Sequence, residues 1–421
     1  MTASVPPRRT RTTRTFVAPP WTIGGSTAGR YARHGRRMEK KTERISRARF
    51  LAGAAAAGAG AALLPASPAT AAGPTAAAGQ HRRGLGHRGV VYTVGEGATP
   101  ATAWSATRMR EDIRAIRDDL RADAVDVTGD GVERLTATAA EAAGRGLHVW
   151  LQPTLGDVPE REILEHLAEC GRFAERLRRQ GASVDLSVGC EFILFVPGIV
   201  PGDNALERVR HLLDGTFDPE RAGRLLERFT AKAAAVGRSV FHGSLSYAAS
   251  EDERVDWRLF DIVGIDYYSY FPRRADHVRE LRRHLRRGKP LAITEFGTCA
   301  YVGAPEAGGM AWDIVDHDER PEAIKGHPVR SERTQAAHLT GLVDVFEAMG
   351  LYAAMAFEFV TPDAPHRRGD PRHDLDLASY ALTKPIQDRP GDPRSPWHWE
   401  PKEAFHALAH RYAHGRRCAR T

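Results

Sequence analysis

Residues 291–297 read Leu-Ala-Ile-Thr-Glu-Phe-Gly, an apolar run that carries the carboxylate Glu295 near its end. Residues 184–191 repeat the arrangement as Val-Asp-Leu-Ser-Val-Gly-Cys-Glu and end in Glu191. Short runs of aliphatic residues bounded by glycine and polar residues predict buried strands. A carboxylate at the end of a buried strand is costly without a purpose, so both glutamates are candidates for a functional site.

Six more apolar runs occur along the chain, and stretches with helical periodicity separate them. Strands are predicted at 90–93, 124–127, 147–151, 184–188, 240–245, 262–266, 291–294 and 353–359. Helices are predicted at 106–120, 131–143, 159–179, within 205–236, near 257–260, and at 275–287, 332–349 and 401–413. Alternating strands and helices are typical of the α/β class with a parallel sheet. Eight such units within residues 84–414 favour a single (β/α)8 TIM barrel.

A doubly wound open sheet is the competing fold, and it would carry a glycine-rich phosphate turn between an early strand and its helix. The chain has one such glycine pattern, at Gly84, Gly86 and Gly89, but it precedes the first predicted strand. The predicted links after strands 4, 7 and 8 are long and cover 192–204, 297–331 and 361–400. In a barrel all three would lie at the C-terminal face, where active sites are built.

The charge balance argues against a nucleic-acid partner. The chain has 421 residues and a formal net charge of +7, but the excess of Arg and Lys is concentrated in residues 1–49. The remainder is close to neutral, so no basic binding face is predicted. Four cysteines occur without a C-x-x-C pair, which excludes a zinc ribbon. Cys190 and Cys299 fall near the two glutamates, and two unpaired thiols are favoured over a disulfide between them.

The N-terminal region has the layout of an export signal. The run 51–64 is apolar but too short to span a bilayer, basic residues precede it, and Ala69-Thr-Ala71 offers a cleavage site. We therefore expect a signal over 38–71 with cleavage near Ala71, an exported protein and no stable membrane anchor. Ser46–Leu51 resembles a twin-arginine signal with Ala48 in place of the second arginine, so either export route is open. A disordered Ala/Arg-rich tail is the alternative for residues 1–80, and 415–421 form a basic tail.

Strands 4 and 7 of an eight-stranded barrel face one another across its mouth. Two carboxylates about 5–5.5 Å apart are what a retaining glycosidase requires. The segment Ile293-Thr-Glu-Phe-Gly297 is similar to the nucleophile strand of clan A glycoside hydrolases, which share this barrel. The resemblance implies Glu295 as nucleophile, Glu191 as acid/base, and Tyr267 or Tyr268 as the hydrogen-bond donor to the nucleophile. The chain departs from that family by placing Cys190 where an asparagine is usual.

A second departure lies at the end of strand 8, where Phe357-Glu-Phe359 stands in place of the usual tryptophan. The region from Arg88 to about Tyr412 also resembles actinobacterial barrel proteins labelled abortive phage infection proteins. The segments that carry this likeness are Trp150–Pro153, Val263–Tyr268, Ile293–Gly297, Gly308–Trp312 and Asp374–Leu377.

Other strand-end and loop residues have two interpretations each. Gln152 binds a sugar hydroxyl or satisfies loop backbone, and Trp312 stacks on a sugar or packs its loop. Glu358 raises the pKa of a neighbour or, slightly favoured, pairs with loop 361–373. Asp126 and Asp266 orient the glutamates or belong to a polar network in the core. The acidic run 313–319 is predicted to be a solvated loop, so no metal or cofactor is expected.

Two hypotheses for function follow. The first is a retaining glycoside hydrolase that acts on a carbohydrate outside the membrane. The second is a non-catalytic barrel that binds carbohydrate or a protein partner, for example in phage defence. A metal-dependent barrel hydrolase is disfavoured, because the first strand reads Val90-Val-Tyr-Thr and holds no ligand. The sugar, the linkage and the oligomeric state are left open by the sequence.

Overall fold

The computed structural model describes residues 84–251 and 253–418, with side chains as far as residue 414. Seven barrel strands come first, namely β1 (His87–Val94), β2 (Ala124–Gly129), β3 (His148–Pro153), β4 (Val184–Cys190), β5 (Leu245–Ser250), β6 (Val263–Asp266) and β7 (Leu291–Phe296). A short hairpin, β8 (Val315–Asp316) and β9 (Ala323–Ile324), precedes the eighth barrel strand, β10 (Ala353–Ala356). The eight strands are parallel and close in the order β1-β10-β7-β6-β5-β4-β3-β2. The predicted single (β/α)8 barrel is confirmed.

The helices of the described residues are α1 (Ala106–Asp118), α2 (Val132–Gly144), α3 (Glu160–Arg179), α4 (Phe192–Phe195), α5 (Ala205–Asp214), α6 (Pro219–Val240), α7 (Arg274–Leu285), α8 (Ala304–Ala307), α9 (Glu332–Met349) and α10 (Glu403–Cys418). A short 3₁₀ turn, Trp257–Leu259, stands between β5 and β6. Side chains of Ser105, Asn204 and Ser331 cap helix N-termini by accepting backbone N–H groups, as such residues commonly do.

The fifth strand was predicted at 240–245 but lies at Leu245–Ser250. The buried face of α6 includes Phe229, Ala233 and Gly237, and the helix continues to Val240. The first residue of the predicted strand therefore belongs to this helix. His242 is exposed in the link that follows the helix.

The barrel has two apolar layers that follow from the alternation of side chains along a strand. Val125 and Val127 of β2 pack in the cluster between the sheet and the helices. Trp150 of β3 belongs to a second cluster that fills the barrel interior. Asp126 lies between the two valines and is fully buried, so its side chain points into the barrel. The polar residues of the barrel mouth stand on this inner face.

The long loops lie at the C-terminal ends of β4, β7 and β10, as predicted. The first contains α4 and α5, and the second contains α8 and the β8–β9 hairpin. The third contains a hairpin of β11 (Thr383–Gln387) and β12 (Trp397–Pro401). A buried ion pair of 2.8 Å joins Lys402 to Asp376, and Arg330 pairs with Asp376 at 2.6 Å. These contacts tie the second and third loops together over the barrel mouth.

The predicted extension 1–80, with the signal over 38–71, lies outside the described residues. The basic tail 415–421 lies beyond the described side chains, although α10 continues to Cys418. Within the part of the chain that the structure describes, no helix combines the length and the apolar character needed to cross a membrane.

Candidate active site

Glu295 stands near the end of β7 and is 7% exposed. The hydroxyl of Tyr268 donates to its Oε2 at 2.7 Å, and the thiol of Cys190 points at its Oε1 from 3.8 Å. Burial, then the charges of Glu191 and Glu358, raise the pKa of Glu295, whereas the bonds from Tyr268 and Cys190 lower it. This glutamate therefore sits among like charges with a strong donor on one oxygen.

Glu191 follows β4 directly and is half-buried. Its backbone is left-handed, with φ at +36°, which is a strained conformation for a residue with a side chain. The backbone N–H of Glu191 donates to Ala248 at 2.9 Å, and its carbonyl accepts from Leu194 at 2.8 Å to begin α4. The charge of Glu191 raises the pKa of both Glu295 and Asp266, so Glu191 interacts electrostatically with both carboxylates.

A group of buried polar residues lies next to Glu295 inside the barrel. Cys190 Sγ lies 3.5 Å from Asp266 Oδ2, and the hydroxyl of Thr294 donates to Asp266 Oδ1 at 2.7 Å. Burial and the Glu295 charge raise the pKa of Asp266 and of Asp126. Both carboxylate oxygens of Asp126 are buried without a hydrogen-bond partner. We predicted that these aspartates orient the glutamates or form a core network, and the contacts of Asp266 agree with the second role as well as the first.

The two tyrosines after β6 lie on opposite sides of the sheet. Tyr268 faces Glu295, whereas the hydroxyl of Tyr267 is bonded to His277 Nδ1 at 2.7 Å on helix α7. Tyr267 also packs against Phe346 of α9. Of the two tyrosines predicted as the donor to Glu295, Tyr268 therefore makes the contact and Tyr267 does not, because successive residues point to opposite faces.

Two acids after β5 support the site and were not predicted. The carboxylate of Glu251 accepts the backbone N–H groups of Tyr268 and Ser269, each at 2.9 Å, and so holds the segment that carries Tyr268. Glu253 accepts the hydroxyl of Tyr247 at 2.8 Å and the N–H of Ile193 at 3.0 Å. Burial raises the pKa of Glu253 to about 8, and the Glu191 charge adds to this effect.

Gln152 closes β3 and is fully buried. Its amide nitrogen donates to Thr128 Oγ1 at 3.3 Å, and its Oε1 has no hydrogen-bond partner. The amide is thus anchored by another side chain of the barrel mouth, and the structure gives neither of its two predicted contacts, to a sugar hydroxyl or to loop backbone.

Trp312 and Glu358 line one cavity between the second and third long loops. Glu358 is 1% exposed and accepts hydroxyl groups of Thr93 at 2.6 Å and Thr361 at 2.8 Å. Burial raises its pKa to about 7. The peptide bond between Phe357 and Glu358 is cis. The only partner of Glu358 within loop 361–373 that the structure gives is Thr361, so the expected ion pair with that loop is replaced by a neutral hydrogen bond.

Two groups of potential metal ligands occur among the described residues. Donor atoms of Cys190, Asp266 and Glu295 lie within 4.8 Å of one another, as do those of a second set, His366, Asp374 and Asp376. Arg330 and Lys402 already neutralise the second set. The first set includes Glu295 itself.

Residues of the acidic loop 313–319 form separate ion pairs with neighbouring side chains. Asp313 pairs with Lys325 at 3.0 Å, and His317 pairs with Glu322 at 2.9 Å. Cys190 and Cys299 are both unpaired, as predicted.

No family model matches the chain, and no curated protein matches it. Solved structures do resemble it. A GH113 beta-1,4-mannanase has a TM-score of 0.50 at 14% identity, over 78% of this chain and 98% of that one. A GH113 beta-mannanase from Alicyclobacillus acidocaldarius has a TM-score of 0.49 at 15% identity, over 79% and 98%. For beta-glucuronidase 2 of Bacteroides uniformis the values are 0.48 and 13%, over 78% of this chain and 35% of that one.

The comparisons give no support to the phage-infection label. At such low identity the likeness concerns the fold alone. The chain therefore has a (β/α)8 barrel fold similar to that of glycoside hydrolases.

Proposed function

We propose that this protein is a retaining glycoside hydrolase in which Glu295 is the nucleophile and Glu191 the acid and then the base. The observation that supports the proposal is that the carboxylates at the ends of β4 and β7 interact, since the charge of Glu191 raises the pKa of Glu295. A retaining mechanism needs such a pair, one member to attack and one to exchange a proton.

The environment favours a single proton shared by the pair. Repulsion between Glu191 and Glu295 opposes ionisation of both. The reaction needs this proton on Glu191, and the hydrogen bond from Tyr268 acts in that direction because it lowers the pKa of Glu295. This distribution is the starting state of the reaction.

The first step forms a bond between a Glu295 oxygen and the anomeric carbon while the glycosidic C–O bond breaks. Glu191 gives its proton to the leaving oxygen, so the leaving group departs as an alcohol. In the second step Glu191 takes a proton from water, the water oxygen attacks the anomeric carbon, and Glu295 is released. Tyr268 stays bonded to Glu295 Oε2 before and after the cycle and limits its rotation.

A second candidate function is a barrel that binds carbohydrate without cleaving it. The burial of Glu295 favours this reading, because a glutamate kept protonated is a poor nucleophile. Cys190 favours it as well, since a thiol at 3.5–3.8 Å is a weak donor to the neighbouring carboxylates.

A panel of 4-nitrophenyl glycosides, in both anomers, tests hydrolysis by the purified protein. We expect Glu295→Gln to abolish turnover, and Glu191→Gln to regain it with azide, which needs no general base. The matched control is Glu165→Gln, a change of the same kind at an exposed helix residue that forms an ion pair with Arg161. Equal turnover by wild type and Glu295→Gln contradicts the nucleophile assignment. Carbohydrate binding without any turnover supports the binding barrel.

We also propose that the protein is exported, on the layout of residues 38–71. N-terminal sequencing of protein collected from the medium tests this, with a new terminus near residue 72 as the expected result. Retention of the whole chain inside the cell contradicts it.

A further inference from the structure

A cavity opens at the C-terminal face between the loops after β7 and β10. It encloses about 520 Å³, including its open mouth. Its polar and aromatic wall combines three rings with three carboxylates, from Trp312, Phe357, Tyr380, Glu322, Glu358 and Asp363.

The cavity adjoins the candidate active site. The ring of Tyr380 lies 5.5 Å from that of Tyr268, whose hydroxyl is bonded to Glu295. The charge of Glu358 raises the pKa of Glu295, which places the two carboxylates near one another. A sugar ring in the cavity would therefore belong to the same bound substrate as the bond under attack.

The charged side chains described in the cavity wall are predominantly acidic. Among its described lining residues there is no lysine or arginine, and His317 is already paired with Glu322 at 2.9 Å. Glu358 accepts hydrogen bonds from two threonine hydroxyls and has no ion pair within 4 Å among the described residues, although the more distant charge of Lys402 acts on it. A buried carboxylate without an adjacent cation is stabilised by a cationic ligand.

The excess of acceptors extends into the barrel mouth. Asp126 is fully buried, and neither of its carboxylate oxygens has a partner. Gln152, equally buried, directs its amide nitrogen to Thr128 and leaves Oε1 without a donor. Both add to the excess of hydrogen-bond acceptors inside the barrel, although neither lines the cavity itself.

We infer that this cavity binds an ammonium group carried by a substrate sugar, so that the substrate class is an amino sugar with a free amine. The inference rests on the proposed glycosidase function. The aromatic rings attract a cation through their faces, and the carboxylates accept its hydrogen bonds. A uronic acid would instead bring a negative charge toward three carboxylates, and an N-acetylated sugar would bring no charge at all.

The first experiment compares kcat/KM for 4-nitrophenyl glycosides that differ in one group, namely the glucosaminide with free amine, the N-acetylglucosaminide, the glucoside and the glucuronide. We expect the free-amine substrate to exceed the glucoside by about tenfold or more, the effect of one charge-assisted hydrogen bond, with the glucuronide slowest. Glu358→Gln and Asp363→Asn should each reduce this preference. Asp370→Asn, a half-exposed aspartate of the same loop outside the cavity, is the matched control and should keep it.

The second experiment separates binding from catalysis. Calorimetry with the Glu295→Gln protein measures binding of a glucosamine trisaccharide, its N-acetylated form and a glucuronate oligomer. Tight binding of the free-amine trisaccharide that weakens about tenfold in an added Asp363→Asn change supports the inference even if no glycoside is hydrolysed, a result that would overturn only the proposed hydrolysis. Hydrolysis of neutral glycosides without preference for the amine, or equal binding of the three oligosaccharides, overturns the inference and leaves the glycosidase proposal standing.

Discussion

Replacement of Tyr268 by phenylalanine removes a single hydroxyl from the candidate site. The lost bond joins the tyrosine O–H to Glu295 Oε2 over 2.7 Å. The ring of Tyr268 keeps its edge contact with Tyr380, so the cleft should retain its shape. The change therefore isolates one donor to the proposed nucleophile.

The magnitude follows from the charge of the acceptor. A hydrogen bond to an ionised group contributes about 1.5–3 kcal/mol, and its loss corresponds to a fall in rate of about 10- to 150-fold. The same bond lowers the pKa of Glu295, which burial and Glu191 hold above the usual value. Without the bond this pKa rises further, so the ionised nucleophile forms only at higher pH. We expect the acid limb of the kcat/KM profile to move upward by about one to two pH units.

The assay is the pH dependence of kcat/KM on the best aryl glycoside for wild type, Tyr268→Phe and Tyr267→Phe. Tyr267 is the matched control, because its hydroxyl bonds to His277 behind the sheet at 2.7 Å. Its loss should lower stability by about 1 kcal/mol and leave the acid limb in place. An unchanged acid limb in Tyr268→Phe, or equal shifts in both variants, would refute this reasoning.

Three more predictions concern the described core. The folded-state pKa of Glu358 is raised to about 7, so the stability from this proton is complete below the ordinary value of 4.5 and is lost as pH rises through 7. In Glu358→Gln, the decrease in unfolding free energy between pH 5 and pH 8, measured by urea titration, should be smaller than in wild type by about 1–3 kcal/mol. Lys402→Met should cost about 3 kcal/mol, the low end for a broken buried pair because an arginine still contacts its aspartate partner. Lys232→Met, at an exposed pair, should cost less than about 1 kcal/mol by the same titration. Cys190 is buried and its thiol pKa is raised, so iodoacetamide at pH 8 should label it only after unfolding, as followed by peptide mass spectrometry.

Each of these has a clear contrary result. A pH-dependent loss of stability that is the same in wild type and Glu358→Gln would place the proton elsewhere. Equal losses for the two lysine variants would remove the distinction between the buried and the exposed pair. Fast alkylation of Cys190 in the folded protein would show that reagents reach the barrel interior.

Hydrophobic periodicity was sufficient to predict the eight strand–helix units, because each strand must bury one face in the barrel and the other under helices. It also placed Glu191 and Glu295 at the ends of their strands. The fifth strand was shifted by five residues, since Val240 to Leu245 reads equally well as the end of a helix.

That shift explains why two supporting acids were missed. With β5 ending at Ser250, the next residues, Glu251 and Glu253, stand at a strand end like the two candidate catalytic glutamates. The hairpins inside the long loops were missed for another reason. Strands such as Val315–Asp316 are two residues long and take their shape from the loops around them, which local pattern does not encode.

Because the backbone of Glu191 is left-handed, a substitution that increases thermal stability at this position would remove the carboxylate. A residue with a side chain loses about 1–2 kcal/mol in this conformation, and glycine would recover most of that energy. A laboratory selection for heat resistance alone should therefore enrich glycine at position 191 and yield a more stable barrel without the proposed acid/base. Screening for thermal robustness and turnover together is the way to keep this carboxylate.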